Sequence, residues 1–134
     1  MPDVAYLSAT DVLALADTFF TRLGYAPPIL RGGGADLLGS AVARAENVAR
    51  YADADLYSQA ATLANGIALN HPFLDGNKRT AWIACVTFLA LNGHPLPEMA
   101  FEPLADKLIA MHETTDRSTT DDALAAWLRT HATL

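Results

Sequence analysis

The sequence predicts an all-α fold, a compact bundle of five to six helices. Three observations carry this. Alanine and leucine supply 45 of the 134 residues, while valine and isoleucine are scarce. Strong helix formers therefore dominate, and a sandwich or barrel would need far more β-branched residues. Apolar residues recur at helical spacing in segment after segment. Capping residues and glycines punctuate those segments closely, as in helices joined by short loops.

Ser8 and Asp11 read as a capping box with Asp in place of the usual Glu. Val12, Ala16, Phe19 and Leu23 follow at helical spacing, and Gly24 ends the first helix. Residues 25–35 hold two prolines and three consecutive glycines, so they form a loop. Either a passive connection or a substrate-facing flap fits that loop. Asp36 is placed to cap a second helix, with Leu38, Val42, Ala45 and Ala49 on one face. Asp53 and Asp55 break the pattern and open a third helix, striped by Leu56, Ala60, Leu63 and Ile67. Residues 71–77 make a polar turn. A fourth helix runs over 78–92 and stops at Gly93. It is apolar on nearly every side beyond Arg79, which predicts a buried central helix fed directly by the turn. Pro103 suits the first turn of a fifth helix ending at Met111. Thr119 to Asp122 cap a sixth, with Leu124, Trp127 and Leu128 facing inward.

Composition bounds the function. A chain of 134 residues fits a single domain over 1–134, able to bury a core without disulfides or metals. With 51% hydrophobic and only 18% charged residues, a mostly disordered chain is excluded. The lone Cys85 permits no disulfide within the chain, which points to a reducing compartment. The longest uncharged apolar run, 80–91, is too short to cross a bilayer. The first residues carry an acid and no basic region, unlike a signal peptide. A cytoplasmic protein with no membrane partner is expected. Nine Lys and Arg against fifteen Asp and Glu argue against direct nucleic-acid binding, yet leave room for a local cationic pocket.

One such pocket is written into residues 71–80, HPFLDGNKRT. Asp75, Asn77, Lys78 and Arg79 crowd together at the start of the most hydrophobic helix. The first N–H groups of a helix have no intrahelical partner and favour an anion. Gly76 lets the backbone approach a ligand closely, because no Cβ intervenes. Lys78 and Arg79 add positive charge at an end that is already positive, an unfavourable arrangement unless an anion binds there. A phosphate would resolve the conflict. His71 ends the preceding helix, and an imidazole can take up a proton near neutral pH. Asp75 can hold Mg²⁺, which commonly bridges one carboxylate to substrate phosphates. Taken singly, His71 reads as a helix C-cap and residues 75–77 as an ordinary turn. Together, a base, a metal ligand, an anion nest and a guanidinium are the parts of phosphoryl or nucleotidyl transfer. Pro72 stiffens the loop, and Phe73 anchors it in the core.

This segment resembles the motif of the Fic/Doc family: a His, a Phe two positions on, an acid two further, then a small residue, Asn, Gly or Lys, and Arg. His71, Phe73, Asp75, Gly76, Asn77, Lys78 and Arg79 match it in turn. Residues 37–44, LLGSAVAR, are similar to an earlier helix of the family, although Gly39 stands where an acid is common. Residues 88–93 are similar to the end of its central helix. Lys78 and Trp82 stand where AMP-transferring Fic proteins have Gly and a second Arg, and so resemble the Doc (death-on-curing) branch. The resemblance implies a toxin of a toxin–antitoxin pair that phosphorylates a translation elongation factor with ATP and Mg²⁺, and a small antitoxin protein that neutralises it. It also implies His71 as general base on the target hydroxyl and Asp75 as Mg²⁺ ligand. Asn77, Lys78 and Arg79 hold phosphates, with Arg79 counted among the catalytic groups. AMP transfer by the same fold, or a nucleotide- or partner-binding module without catalysis, are the alternatives. No inhibitory helix motif of the Fic type occurs in the sequence, so inhibition is expected from a separate chain.

The remaining candidates read as structural. His94, His112 and His131 have no ligand spacing, and Cys85 is a buried small hydrophobe. Trp82 belongs to the core, near enough to the motif to wall a pocket. Tyr51 and Tyr57 are packing residues, with nucleotide contact as the rival reading.

Overall fold

The computed structural model describes residues 3–97, 101–111 and 117–132. It holds six helices: α1 (Ala9–Arg22), α2 (Gly34–Ala52), α3 (Leu56–Asn70), α4 (Asn77–Leu91), α5 (Phe101–Met111) and α6 (Arg117–Ala132). Among the described residues there is no strand, only an isolated antiparallel bridge between Leu30 and Phe73. No described helix is long and apolar enough to cross a membrane.

The capping box at the start of α1 is present: Ser8 accepts from the Asp11 N–H, and the Asp11 carboxylate accepts from the Ser8 N–H. The inward face differs from the sequence expectation. Val12, Ala16 and Phe20 are buried, a strict four-residue spacing. Phe19 is half-buried and Leu23 is 52% exposed, so the apolar stripe is wider than the core needs. Its outer edge lines a cleft described below.

The second helix starts earlier than Asp36. Gly33 is its N-cap, with no side-chain capping bond, and Asp36 lies within the first turn. Packing explains the shift. A Cβ on Gly34 would lie 2.1 Å from the Pro72 carbonyl oxygen, so the helix begins where only glycine can pass the 71–76 turn. Asp36 complements the positive end of the helix instead of capping it. Likewise α6 begins at Arg117, ahead of Thr119.

The third helix is the most enclosed element. Asp55 caps it by accepting from the Ser58 N–H at 2.8 Å, and residues 59–68 are buried without a break. α2, α4 and α6 all pack on it. Small side chains make this possible; a Cβ on Gly66 would meet that of Ala41 at 3.1 Å. Three buried polar side chains anchor locally or across helices: Gln59 to the Ala54 carbonyl, Thr62 to the Ser58 carbonyl, and Asn65 to Asp121 on α6. α4 takes the interior position the sequence predicts, packed by α1, α3 and α5. Its first turn stays wet at Lys78 and Arg79. Burial pushes the Cys85 thiol up to about 12, so it behaves as a small hydrophobe.

The Arg129 guanidinium on α6 forms a fork on Asp55, at 2.9 and 3.0 Å, and also donates to Ser58 Oγ at 2.8 Å. These Arg129 bonds, and then the Ser58 N–H, hold the Asp55 carboxyl below the ordinary carboxylate range against a smaller opposing effect of burial. The unfolded chain therefore binds this proton more readily, and the stabilisation is complete above about pH 4 and fades as the pH falls through the lower folded value. About half of each partner is exposed, so solvent screens the pair. Asp55→Ala, which removes cap and pair, is expected to cost about 1–2 kcal/mol at pH 7 in urea denaturation. Asp55→Asn keeps a cap and costs less, and its deficit should shrink at pH 3. A deficit that grows on acidification would contradict the sign.

Candidate active site

Two helix ends meet across residues 72–76. α3 closes at His71, whose backbone is left-handed at φ +50°, and α4 opens after Gly76 at φ +84°. Phe73, between them, is 1% exposed. The loop is closed by Asn77: its Oδ1 accepts from the Phe73 N–H, and its Nδ2 donates to the Phe73 carbonyl, each at 3.0 Å. Gly76 is required twice over, since a Cβ there would lie 2.8 Å from Phe20 Cζ in a conformation that L side chains rarely adopt.

A cleft of about 700 Å³ opens over this junction. His71, Asp75, Gly76, Asn77, Lys78 and Arg79, all six residues singled out from the sequence, line it. His71, Asp75, Lys78 and Arg79 are exposed. Asp75 accepts from the Gly76 N–H at 2.8 Å through Oδ1. Asn77 is buried and its amide is engaged with Phe73, so its offer to an anion narrows to its main-chain N–H. That N–H joins those of Lys78 and Arg79 in the first turn, where helix geometry leaves them without intrahelical partners. The ion pairs of the described residues are Arg44–Asp121, Arg50–Glu46 and Arg129–Asp55, so among these residues neither Lys78 nor Arg79 has a paired carboxylate.

Sequence reasoning missed Tyr25. Its ring lies under the Arg79 guanidinium, 4.5 Å from centroid to Cζ. Nothing in the local pattern marks a contact across that many residues. Tyr51 is 86% exposed, and the Tyr57 hydroxyl meets His94 Nδ1 at 3.3 Å; neither lines the cleft. His131 stacks on Trp127, and His112 lies outside the described residues. Trp82 walls a second, mainly apolar cleft of about 550 Å³ with Phe19, Leu23 and Ala105. The two clefts share Tyr25, Lys78 and Arg79.

The open question about residues 25–35 resolves into specific bonds. Leu74 N–H donates to the Ile29 carbonyl at 2.9 Å, and Arg31 N–H to the Pro72 carbonyl at 3.0 Å. This segment lies alongside the 72–74 backbone and is not a detached connection.

Among the described residues, six helices with a histidine at the end of one and a glycine turn at the start of the next, lining one cleft, fit the Fic/Doc pattern. The sequence model of the Fic/DOC family matches residues 6–89, which span α1 to most of α4 and the whole cleft motif. The chain belongs to the Fic/Doc family. It is 42% identical over 94 residues to the protein named Toxin Doc of Mycolicibacterium smegmatis (strain ATCC 700084 / mc(2)155), an alignment covering 69% of this chain and 71% of that one.

Asn77→Ala should leave two buried main-chain groups of Phe73 without partners and cost about 1–3 kcal/mol in urea denaturation. Asn77→Asp keeps the acceptor and should lose less. Unchanged stability in Asn77→Ala would mean that burial of Phe73 alone holds the loop.

Proposed function

We propose that this chain is a cytoplasmic Doc-like toxin that transfers the γ-phosphate of ATP to a hydroxyl of a translation elongation factor, and that a small antitoxin protein neutralises it. The observation that carries this reading is the pair Lys78 and Arg79. They are two exposed cations at the positive end of α4, in no ion pair among the described residues, in one cleft with His71 and Asp75. The likeness to a protein named Toxin Doc supports the toxin role.

In this reading the first-turn N–H groups of α4, with Lys78 and Arg79, hold the γ-phosphate. His71 takes the proton of the target hydroxyl as that oxygen bonds to the γ-phosphorus. The bond from this phosphorus to the β–γ bridging oxygen breaks, ADP leaves, and the imidazolium later gives its proton to water. Lys78 and Arg79 meet the charge that grows on the transferring group. Among the described residues no group of three or more His, Cys, Asp or Glu side chains could hold a metal by itself. The single exposed carboxylate of Asp75 fits Mg²⁺, which keeps several waters, takes phosphate oxygens as further ligands and neutralises their charge.

Lys78 and Trp82 favour γ- over α-phosphate transfer. Lys78 lines the cleft where a glycine would leave room for a passing phosphate chain. Trp82 is packed on Phe19, ring centroids 5.1 Å apart, and cannot pair with outer phosphates. The apolar cleft beside the motif suits a helix of the antitoxin, whose apolar residues would cover Phe19, Leu23 and Trp82 next to the reacting groups.

ATP labelled at the γ position should pass label to the elongation factor, and ATP labelled at the α position should not. Label from the α position would overturn phosphoryl transfer in favour of AMP transfer. His71→Ala should fold normally, slow transfer by on the order of 10²–10⁴-fold, and relieve growth arrest on expression. Full toxicity of folded His71→Ala would remove the imidazole from the chemistry.

A further inference from the structure

His71 is one of two non-glycine residues with a positive φ among the described residues; the other is Asp53. A left-handed backbone is disfavoured for a residue with a Cβ and persists only where its surroundings hold it. At His71 the holding group is Arg31. Its Nη2 donates to the Asn70 carbonyl at 3.0 Å, its Nε donates to the His71 carbonyl, and its main-chain N–H donates to the Pro72 carbonyl at 3.0 Å. Three consecutive carbonyls at the end of α3 are thus taken by one residue. The last carbonyls of a helix lack intrahelical partners, and a cation there is favoured by the helix dipole. Arg31 belongs to none of the ion pairs of the described residues, so its guanidinium is committed to these main-chain oxygens. A Cβ on Gly34 would collide with the same Pro72 carbonyl oxygen, so glycine there lets the two segments approach.

From this we infer that Arg31 is a positioning residue for His71: it fixes the left-handed backbone from which the imidazole enters the cleft. The inference rests on the reading of His71 as the base. Arg31 does not line the cleft, and Lys78 and Arg79 stand apart from it on α4. Its removal should therefore act on proton transfer rather than on nucleotide binding.

The test is Arg31→Ala beside Arg31→Lys, which keeps the cation but loses the fork. Backbone chemical shifts and the amide–Hα coupling of His71, read by NMR on isotopically labelled full-length chain, report its backbone state. Steady-state phosphate transfer from ATP reports kcat and KM. In Arg31→Ala the left-handed signature of His71 should disappear and kcat should fall by about ten-fold or more, with KM for ATP little changed. Guanidinium chloride at non-denaturing millimolar concentration should restore part of both, and sodium chloride at equal concentration should not. Arg31→Lys should lie between, and it carries the comparison if Arg31→Ala does not fold. His71 signals that do not move, or a loss expressed wholly in KM, would overturn the inference. So would a kcat that stays at the wild-type value while the His71 signature is lost. Absence of transfer by the wild-type chain would overturn the reading of His71 as base, and the His71 signals would still decide whether Arg31 sets that backbone.

Discussion

The amide of Asn77 clasped on the main chain of Phe73 is the constraint on which the site depends. A loop of six residues, 71–76, joins α3 to α4. With Phe73 buried and both of its main-chain groups satisfied by Asn77, the loop has one way to run. His71 then sits at the exit of α3 and Gly76 at the entrance of α4, on the same side. The end of α3 and the first turn of α4 are held in register by an interaction made within the loop itself. Phe20, pressed where a Cβ of residue 76 would be, carries that register into α1.

Three cations near the junction divide by helix polarity. Arg31 lies at the negative end of α3, where its charge is welcome and its donors are consumed by carbonyls. Lys78 and Arg79 lie at the positive end of α4, where charge is unwelcome, and among the described residues neither forms an ion pair. The first arrangement stabilises a fold. The second leaves charge exposed at the cleft, and Arg79 rests on the π face of Tyr25. Polarity thus separates an arginine whose donors are consumed by carbonyls from one left exposed at the cleft, although the two are chemically identical.

Much of this was legible in the sequence because it is local. The motif, its two helix boundaries, the capping box of Ser8 and the burial of Phe73 follow from neighbours a few residues away. What escaped depends on pairs distant in the chain. The start of α2 is set by Gly34 against Pro72, not by the capping preference of Asp36. The phase of α1 could not be read because Phe19 and Phe20 are adjacent and both apolar; only the packed neighbours choose Phe20 for the core. Tyr25 and Arg31 sit in a proline- and glycine-rich stretch whose composition says loop and nothing about what the loop holds. The amide of Asn77 was legible as a polar group in the motif, but not as one turned inward.

The wall between the two clefts has a thermodynamic consequence. Tyr25, Lys78 and Arg79 belong to both, so an occupant of either cleft meets side chains that the other also uses. Occupancies that share contacts in this way cannot be independent. Whatever factor one ligand imposes on the affinity of the other is returned in full, because the coupling free energy belongs to the pair. If the shared cations can serve only one occupant at a time, that coupling is negative. Antagonism between the two clefts would then run through three side chains, with no change of backbone conformation.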